Sequence, residues 1–192
     1  MAKLYFYYSA MNAGKSTTLL QSDYNYRERG MDTLLLIPQV DTRYGSHHIS
    51  SRIGLSAEAF AFAPDFNLYD YAKSSLAKNP SIQCVLLDEA QFLTKTQVRQ
   101  LSDIADNLHT PVLAYGLRSD FRGEPFEGSL YLLSWAEEII EIKTICHCGR
   151  KATMNLRVDD NGRAVREGEQ IEIGGNERYI AMCHRHFKQA WI

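Results

Sequence analysis

No stretch of the 192-residue chain approaches the run of roughly 20 apolar residues that a membrane-spanning helix needs. The N-terminal MAKLYFYYSA also lacks the long apolar region and cleavage site of a secretory signal, which predicts a cytoplasmic protein. Charge of one sign is missing too: 21 basic and 23 acidic side chains leave a net charge of −2. With an isoelectric point near 6.3 there is no global attraction to nucleic acid or to an anionic membrane, and neither is expected as a partner. Low-complexity tracts and internal repeats are absent. Cysteine is scarce, with four in all, but three of them, Cys146, Cys148 and Cys183, fall in the last quarter beside histidines. In a reducing compartment such a cluster points to a metal before a disulfide. Cys84, alone in an apolar stretch, reads as a small core residue.

What is present is an alternation of short apolar runs with longer amphipathic stretches over residues 1–143, the pattern of a parallel sheet covered by helices. Leu4 to Tyr8, Thr33 to Ile37, Ile82 to Leu87, Val112 to Tyr115 and Ile139 to Ile142 read as strands. Lys15 to Arg29, Leu68 to Lys78 and Thr94 to Asn107 read as helices, with Gly30 a natural stop for the first. Asp41 to Ser56 has no sustained periodicity and reads as a loop or mobile hairpin. From residue 144 to 192 the character changes: cysteines appear, and Asp160-Asn161-Gly162 marks a tight turn. The expectation is an α/β fold of the P-loop NTPase type over 1–143, followed by a small zinc-binding module over 144–192.

Three motifs carry chemistry. Ser9-Ala10-Met11-Asn12-Ala13-Gly14-Lys15-Ser16 lies between a predicted strand and a predicted helix, where a phosphate loop belongs. Such a loop wraps backbone N–H groups around phosphate oxygens, aims a lysine at the β and γ phosphates and puts a hydroxyl on Mg²⁺. Ser9 replaces the usual first glycine and lacks its freedom at positive φ. The second motif is an apolar strand ending in Asp88-Glu89, where one acid can hold Mg²⁺ and its neighbour can take a proton. Acids at a strand end are also common without any such role. The third is the cluster Cys146, Cys148, Cys183 and His186, three thiolates and an imidazole that suit tetrahedral structural zinc. His147 and His184 adjoin ligating cysteines and rank below His186, because neighbouring residues point apart.

Together with Asp41-Thr-Arg-Tyr44, Asp88-Glu89-Ala-Gln91-Phe92, the Gly116 to Phe126 segment and Gly174-Gly175-Asn-Glu-Arg-Tyr179, these motifs resemble, in order and over nearly the whole chain, type II thymidine kinase, the zinc-containing cellular class in its bacterial form. The resemblance implies ATP-dependent phosphorylation of the 5′-hydroxyl of thymidine, with deoxyuridine an alternative acceptor. It implies that Ser9, Ala10, Met11, Asn12, Ala13, Gly14, Lys15 and Ser16 handle the triphosphate, with Asp88, Ala90 and Gln91 beside them. Glu89 is then the general base, because a carboxylate can accept the proton of a hydroxyl far too weakly acidic to lose it unaided. Leu117, Phe121 and Phe126 would wall the base pocket, and Ile171, Glu172, Ile173, Gly174 and Tyr179 would close over the base as a lasso. Asp41 and Arg43 would meet substrate or phosphate. Mg²⁺ and structural Zn²⁺ are the implied metals, a homotetramer the implied assembly, and dTTP the implied feedback inhibitor. For Phe121 and Phe126 plain core packing is the competing reading.

Two other classes fit parts of the sequence. A P-loop ATPase would use Glu89 to activate water, and nucleoside-independent ADP release would reveal it. A zinc-ribbon nucleic-acid module is opposed by the near-neutral charge.

Overall fold

The computed structural model describes residues 1–39, 48–170 and 178–190. Its centre is a six-stranded, wholly parallel sheet in the order β5-β2-β6-β7-β1-β8. The strands are β1 (Leu4–Ser9), β2 (Asp32–Pro38), β5 (Phe60–Phe62), β6 (Ile82–Leu87), β7 (Val112–Leu117) and β8 (Glu138–Glu141). Side-chain alternation divides the core between the two faces of this sheet. Leu4, Phe6, Leu34, Leu36, Val85, Leu87, Val112 and Ala114 form one apolar layer, packed under α2 (Leu68–Lys78), α3 (Lys95–Asn107) and α4 (Glu127–Trp135). Leu35, Cys84, Leu86 and Tyr115 form the other, under α1 (Lys15–Arg27) and the antiparallel hairpin β3 (His48–Ser50) to β4 (Ser56–Glu58). Cys84 is fully buried in that second layer, and burial pushes its thiol up to about 12, so it is inert core as the sequence suggested.

All five expected strands and all three expected helices are present, with small shifts at their ends. α1 stops at Arg27, two residues short of Arg29, because Gly30 turns the chain at φ 74° while its N–H and that of Met31 return to Arg27 and Tyr26 carbonyls. Thr94 is the N-cap of α3 and forms a reciprocal capping box with Gln97. The hairpin alternative for Asp41 to Ser56 holds for the described part, which runs on to Glu58. The short edge strand β5 and helix α4 were not anticipated.

Beyond β8, β9 (Thr144–Ile145) pairs with β10 (Lys151–Ala152), and β11 (Met154–Arg157) pairs with β12 (Tyr179–Met182), which leads into α5 (His184–Ala190). The Asp160-Asn161-Gly162 turn is as expected, with Gly162 at φ 75° and Val158 bridged to Ala164. No described helix is long and apolar enough to cross a membrane.

Candidate active site

Parallel strands deliver their following loops to one edge of the sheet, and there the chemistry-bearing residues gather. β1 ends at Ser9 and the chain turns through residues 10–14 into α1. Gly14 sits at φ 86° immediately before the helix, a left-handed position at which a Cβ would be strained. Among the described residues the only non-glycine positions at positive φ are Asn12, Glu89 and His109. Ser9 therefore needs none of glycine's freedom. Its hydroxyl instead donates to the Ala10 carbonyl at 2.6 Å and accepts from Lys15 Nζ at 3.1 Å, holding the lysine over the loop. The departure at Ser9 thus adds an anchor for Lys15.

β6 ends at Leu87, and Asp88 reaches back across the edge to the phosphate loop: Ser16 Oγ donates to its Oδ2 at 2.7 Å. Oδ1 accepts the backbone N–H of Glu89 at 3.0 Å. Asp88 is only 3% exposed; burial first, and the neighbouring Glu89 charge second, push its carboxyl up to about 6. Burial likewise lowers the Lys15 pKa, opposed by the attraction of Glu89 and Asp88. The half-buried Lys15 thus lies within electrostatic reach of both carboxylates.

Glu89 adopts φ 54° and ψ 37°, a left-handed conformation that a non-glycine residue holds only when its surroundings dictate it. They do so here. The Glu89 carbonyl accepts from Phe92 N–H at 3.1 Å, and its carboxylate accepts from Gln91 Nε2. Gln91 is 2% exposed, and its Oε1 accepts the Leu117 N–H at 3.0 Å, which locks the amide in place. The short 3₁₀ turn Ala90–Phe92 is clamped from beyond by α4, where a Cβ on Gly128 would stand 2.4 Å from the Ala90 carbonyl oxygen. Only glycine lets the helix come so close. The poor helix former at Gly128 that hid α4 from sequence inspection is what the packing requires.

The end of β7 and the segment after it carry Leu117, Phe121 and Phe126 to the same edge. Phe126, the residue before α4, meets Phe92 edge-on with centroids 5.7 Å apart. Phe121 is 1% exposed, with the guanidinium groups of Arg157 and Arg122 at 5.0 and 5.6 Å from its ring centre. The buried Asp120 carboxylate ties this segment down, accepting from Arg122 and Glu124 N–H groups and from Gln170 Nε2 at 3.1 Å. Gln170 is the last residue before 171–177; Asp41, Arg43, Ile171, Glu172, Ile173 and Gly174 lie outside the described residues. Tyr179 opens β12 opposite Arg157.

The cysteine cluster assembles from two segments far apart in sequence. The turn between β9 and β10 presents Cys146 and Cys148, while β12 and α5 present Cys183 and His186. The four ligand atoms all lie within 4.8 Å of one another. Cys146 Sγ and Cys183 Sγ stand 3.4 and 3.6 Å from His186 Nδ1, and Cys148 Sγ stands 3.9 Å from Cys183 Sγ. Zn–S near 2.3 Å and Zn–N near 2.0 Å give tetrahedral edges of about 3.8 Å for S···S and about 3.5 Å for S···N, which these three separations match. Burial pushes the Cys146 thiol up, but the Cys148 and Cys183 backbone N–H groups and His186 outweigh it and bring the thiol down to about 5. His147 stacks on His186 at 4.4 Å and is not part of the cluster.

One polar residue that sequence inspection passed over stands between these regions. Asn155, on β11 and 2% exposed, accepts Met11 N–H at Oδ1 and donates from Nδ2 to the Ser119 carbonyl. Its one outward sign is an asparagine between Met154 and Leu156 in a strand, a setting that disfavours it.

The family described as thymidine kinase matches residues 2–187. A thymidine kinase of Coxiella burnetii is 66% identical over 188 residues, covering 98% of this chain and 96% of its own. One from Rhodopirellula baltica is 63% identical over 190 residues, with 99% and 90% coverage. Another, from Vibrio parahaemolyticus, is 57% identical over 190 residues, with 99% and 98% coverage. Agreement of this kind from end to end places every element of the sheet edge and the cysteine cluster within the match: the chain belongs to the thymidine kinase family, a family of phosphotransferases.

Proposed function

We propose that the protein transfers the γ-phosphoryl group of ATP to the 5′-hydroxyl of thymidine, with deoxyuridine as a second acceptor, and that Glu89 is the base. The observation that carries this reading is the bond between Ser16 Oγ and Asp88 Oδ2, which joins the phosphate loop to an acid whose neighbour Glu89 is held in a strained, fixed pose. A hydroxyl and a carboxylate oxygen converging at 2.7 Å are the hard donors that Mg²⁺ takes, so Ser16 and Asp88 would hold it. Bound there with ATP, the ion would offset negative charge on the phosphates. Lys15 and the backbone of Ser9 to Gly14 meet the triphosphate. The 5′-hydroxyl proton passes to Glu89, the 5′-oxygen bonds to the γ-phosphorus, and the bond to the β–γ bridging oxygen breaks as ADP leaves. Gln91 serves by fixing Glu89, and Ala90 by its place in the turn beneath it. Leu117, Phe121, Phe126 and Tyr179 enclose the base, with residues 171–174 closing over it and Asp41 and Arg43 at the substrate.

Residues 1–143 then form the nucleotide-binding domain and 144–192 the zinc module. A closed Cys₃His shell leaves no ligand position for water, so the zinc is structural. Family resemblance further supports a cytoplasmic homotetramer inhibited by dTTP. A panel of nucleosides assayed by coupled ADP release tests the substrate: thymidine is expected to give the highest kcat/KM and purine nucleosides background rates. Equal rates with every nucleoside, or with none, would overturn it.

Two further results are expected. Cys183→Ser should carry less than one zinc per chain by elemental analysis, melt at lower temperature and bind thymidine more weakly; full zinc content in that variant would remove Cys183 from the shell. Asp88→Asn should abolish activity yet stabilise the ligand-free fold. Asp88 has a folded pKa near 6 against an ordinary 3.8, so the folded state binds more protons between those values. Stability is therefore lost as pH rises through that window and stays lost above it. The buried charge costs about 1–3 kcal/mol at pH 8. An amide keeps the acceptor for Glu89 N–H and can donate to Ser16 Oγ. Thermal melts should show the variant more stable by several degrees at pH 8, with the gain vanishing toward pH 4. A loss of stability at pH 8 would contradict the assignment.

A further inference from the structure

Between the cysteine cluster and the phosphate loop runs a short, continuous chain of contacts. Cys183 follows Met182, which pairs with Met154 across the β11–β12 ladder; the Met182 carbonyl also accepts Thr153 N–H at 2.9 Å. Asn155 comes next on β11, and its buried amide spends both of its ends on the catalytic edge: Oδ1 on Met11 N–H at 2.7 Å, Nδ2 on the Ser119 carbonyl at 3.0 Å. The two bonds fix which way the amide faces, because exchanging Oδ1 and Nδ2 would set donor against donor and acceptor against acceptor. Met11 lies at the middle of the phosphate loop. Ser119 begins the segment that carries Phe121 and Phe126 and is bridged to Pro125 at its far end. Nearby, Arg118 donates to the Thr153 carbonyl at 3.4 Å and lies over the Tyr8 ring, a second and weaker tie.

We infer that Asn155 is a positioning residue for phosphoryl transfer: it orients the middle of the phosphate loop and couples that loop, together with the 119–126 segment, to the metal-tethered module. This rests on the reading that ATP binds at Ser9 to Ser16. A phosphate loop works by presenting N–H groups in a fixed concave array, and any freedom left in the loop must be removed on binding, at the expense of affinity. With Met11 N–H pinned to Asn155, that ordering is done in advance. Metal loss should accordingly reach the ATP site as well as the nucleoside site. A sequence-only view that assigns the phosphate loop to a separate domain does not anticipate this.

The test uses the full-length, metal-loaded protein and two substitutions. Asn155→Leu removes both bonds while keeping the branched side-chain skeleton. Asn155→Ser, milder, leaves room for a bridging water and keeps the fold measurable if the first variant does not fold. The expected result is a KM for ATP raised about 5–20-fold in Asn155→Leu and less in Asn155→Ser, with zinc content unchanged. Chelating the metal should raise the ATP KM of the wild type but add little in Asn155→Leu, since the link is already cut. ADP titrations on Lys15→Ala, run alongside, separate two failures. If Lys15→Ala loses ADP affinity while both Asn155 variants melt early but keep wild-type KM values, Asn155 is structural only and the inference is wrong. If Lys15→Ala binds ADP as the wild type does, the phosphate-loop reading fails and the inference falls with it.

Discussion

Glu89→Gln is expected to lower kcat by about 10²–10⁴-fold while leaving the KM values for ATP and thymidine within a few-fold of wild type. Glutamine keeps the length and the acceptor that faces Gln91 Nε2, so the turn Ala90–Phe92 and its left-handed lead residue should persist. What it cannot do is take a proton. The loss must then fall on the chemical step, where the 5′-oxygen gains charge as its proton departs. A stopped-flow or quenched-flow measurement of the first turnover isolates that step from product release. A variant that turns over at near wild-type rate would remove Glu89 from the role of base and leave Asp88 as the nearest alternative.

Lys15→Ala should act differently, weakening ATP binding and slowing transfer together. The half-buried ammonium is attracted by both carboxylates and anchored by Ser9 Oγ at 3.1 Å and the Ala10 carbonyl at 3.4 Å. Its charge opposes the phosphates in the ground state and more so as charge shifts toward the leaving oxygen. A loss in kcat/KM for ATP of about 10³-fold or more, roughly 4 kcal/mol, is expected. Thymidine affinity should be spared. Calorimetry showing unchanged ATP affinity, with an intact rate, would mean that Ser9 to Ser16 is a turn that only looks like a phosphate loop.

These two residues were legible in the sequence because each sits at a boundary between patterns: Lys15 where an apolar strand gives way to an amphipathic helix, Glu89 where one ends in two acids. The sheet was legible for the same reason, its buried strands reading as unbroken apolar runs. The cysteine cluster was legible across a long gap because thiols and imidazoles at short spacing have few other uses in a reducing compartment. Helix α4 was not, since Gly128 and Ser129 in its first turn are poor helix formers and the helix is fixed by contact with the Ala90 carbonyl. β5 is three residues at the edge of the sheet, too short for alternation to register. Gln91 was legible as part of the acid motif, but its work, bracing Glu89 against the Leu117 N–H, appears only once β6 and β7 lie side by side. Asn155 carries no motif at all. Its meaning comes from two partners more than 30 positions away, and pairing at that distance leaves no trace in local pattern.

The central claim is that the γ-phosphoryl group goes to a nucleoside hydroxyl and not to water. Purified protein incubated with ATP labelled at the γ position, Mg²⁺ and thymidine should pass the label into thymidine 5′-monophosphate in one-to-one ratio with ADP, and 5′-deoxythymidine, which lacks the acceptor oxygen, should receive none. Label released as inorganic phosphate at the same rate with or without thymidine would contradict the account.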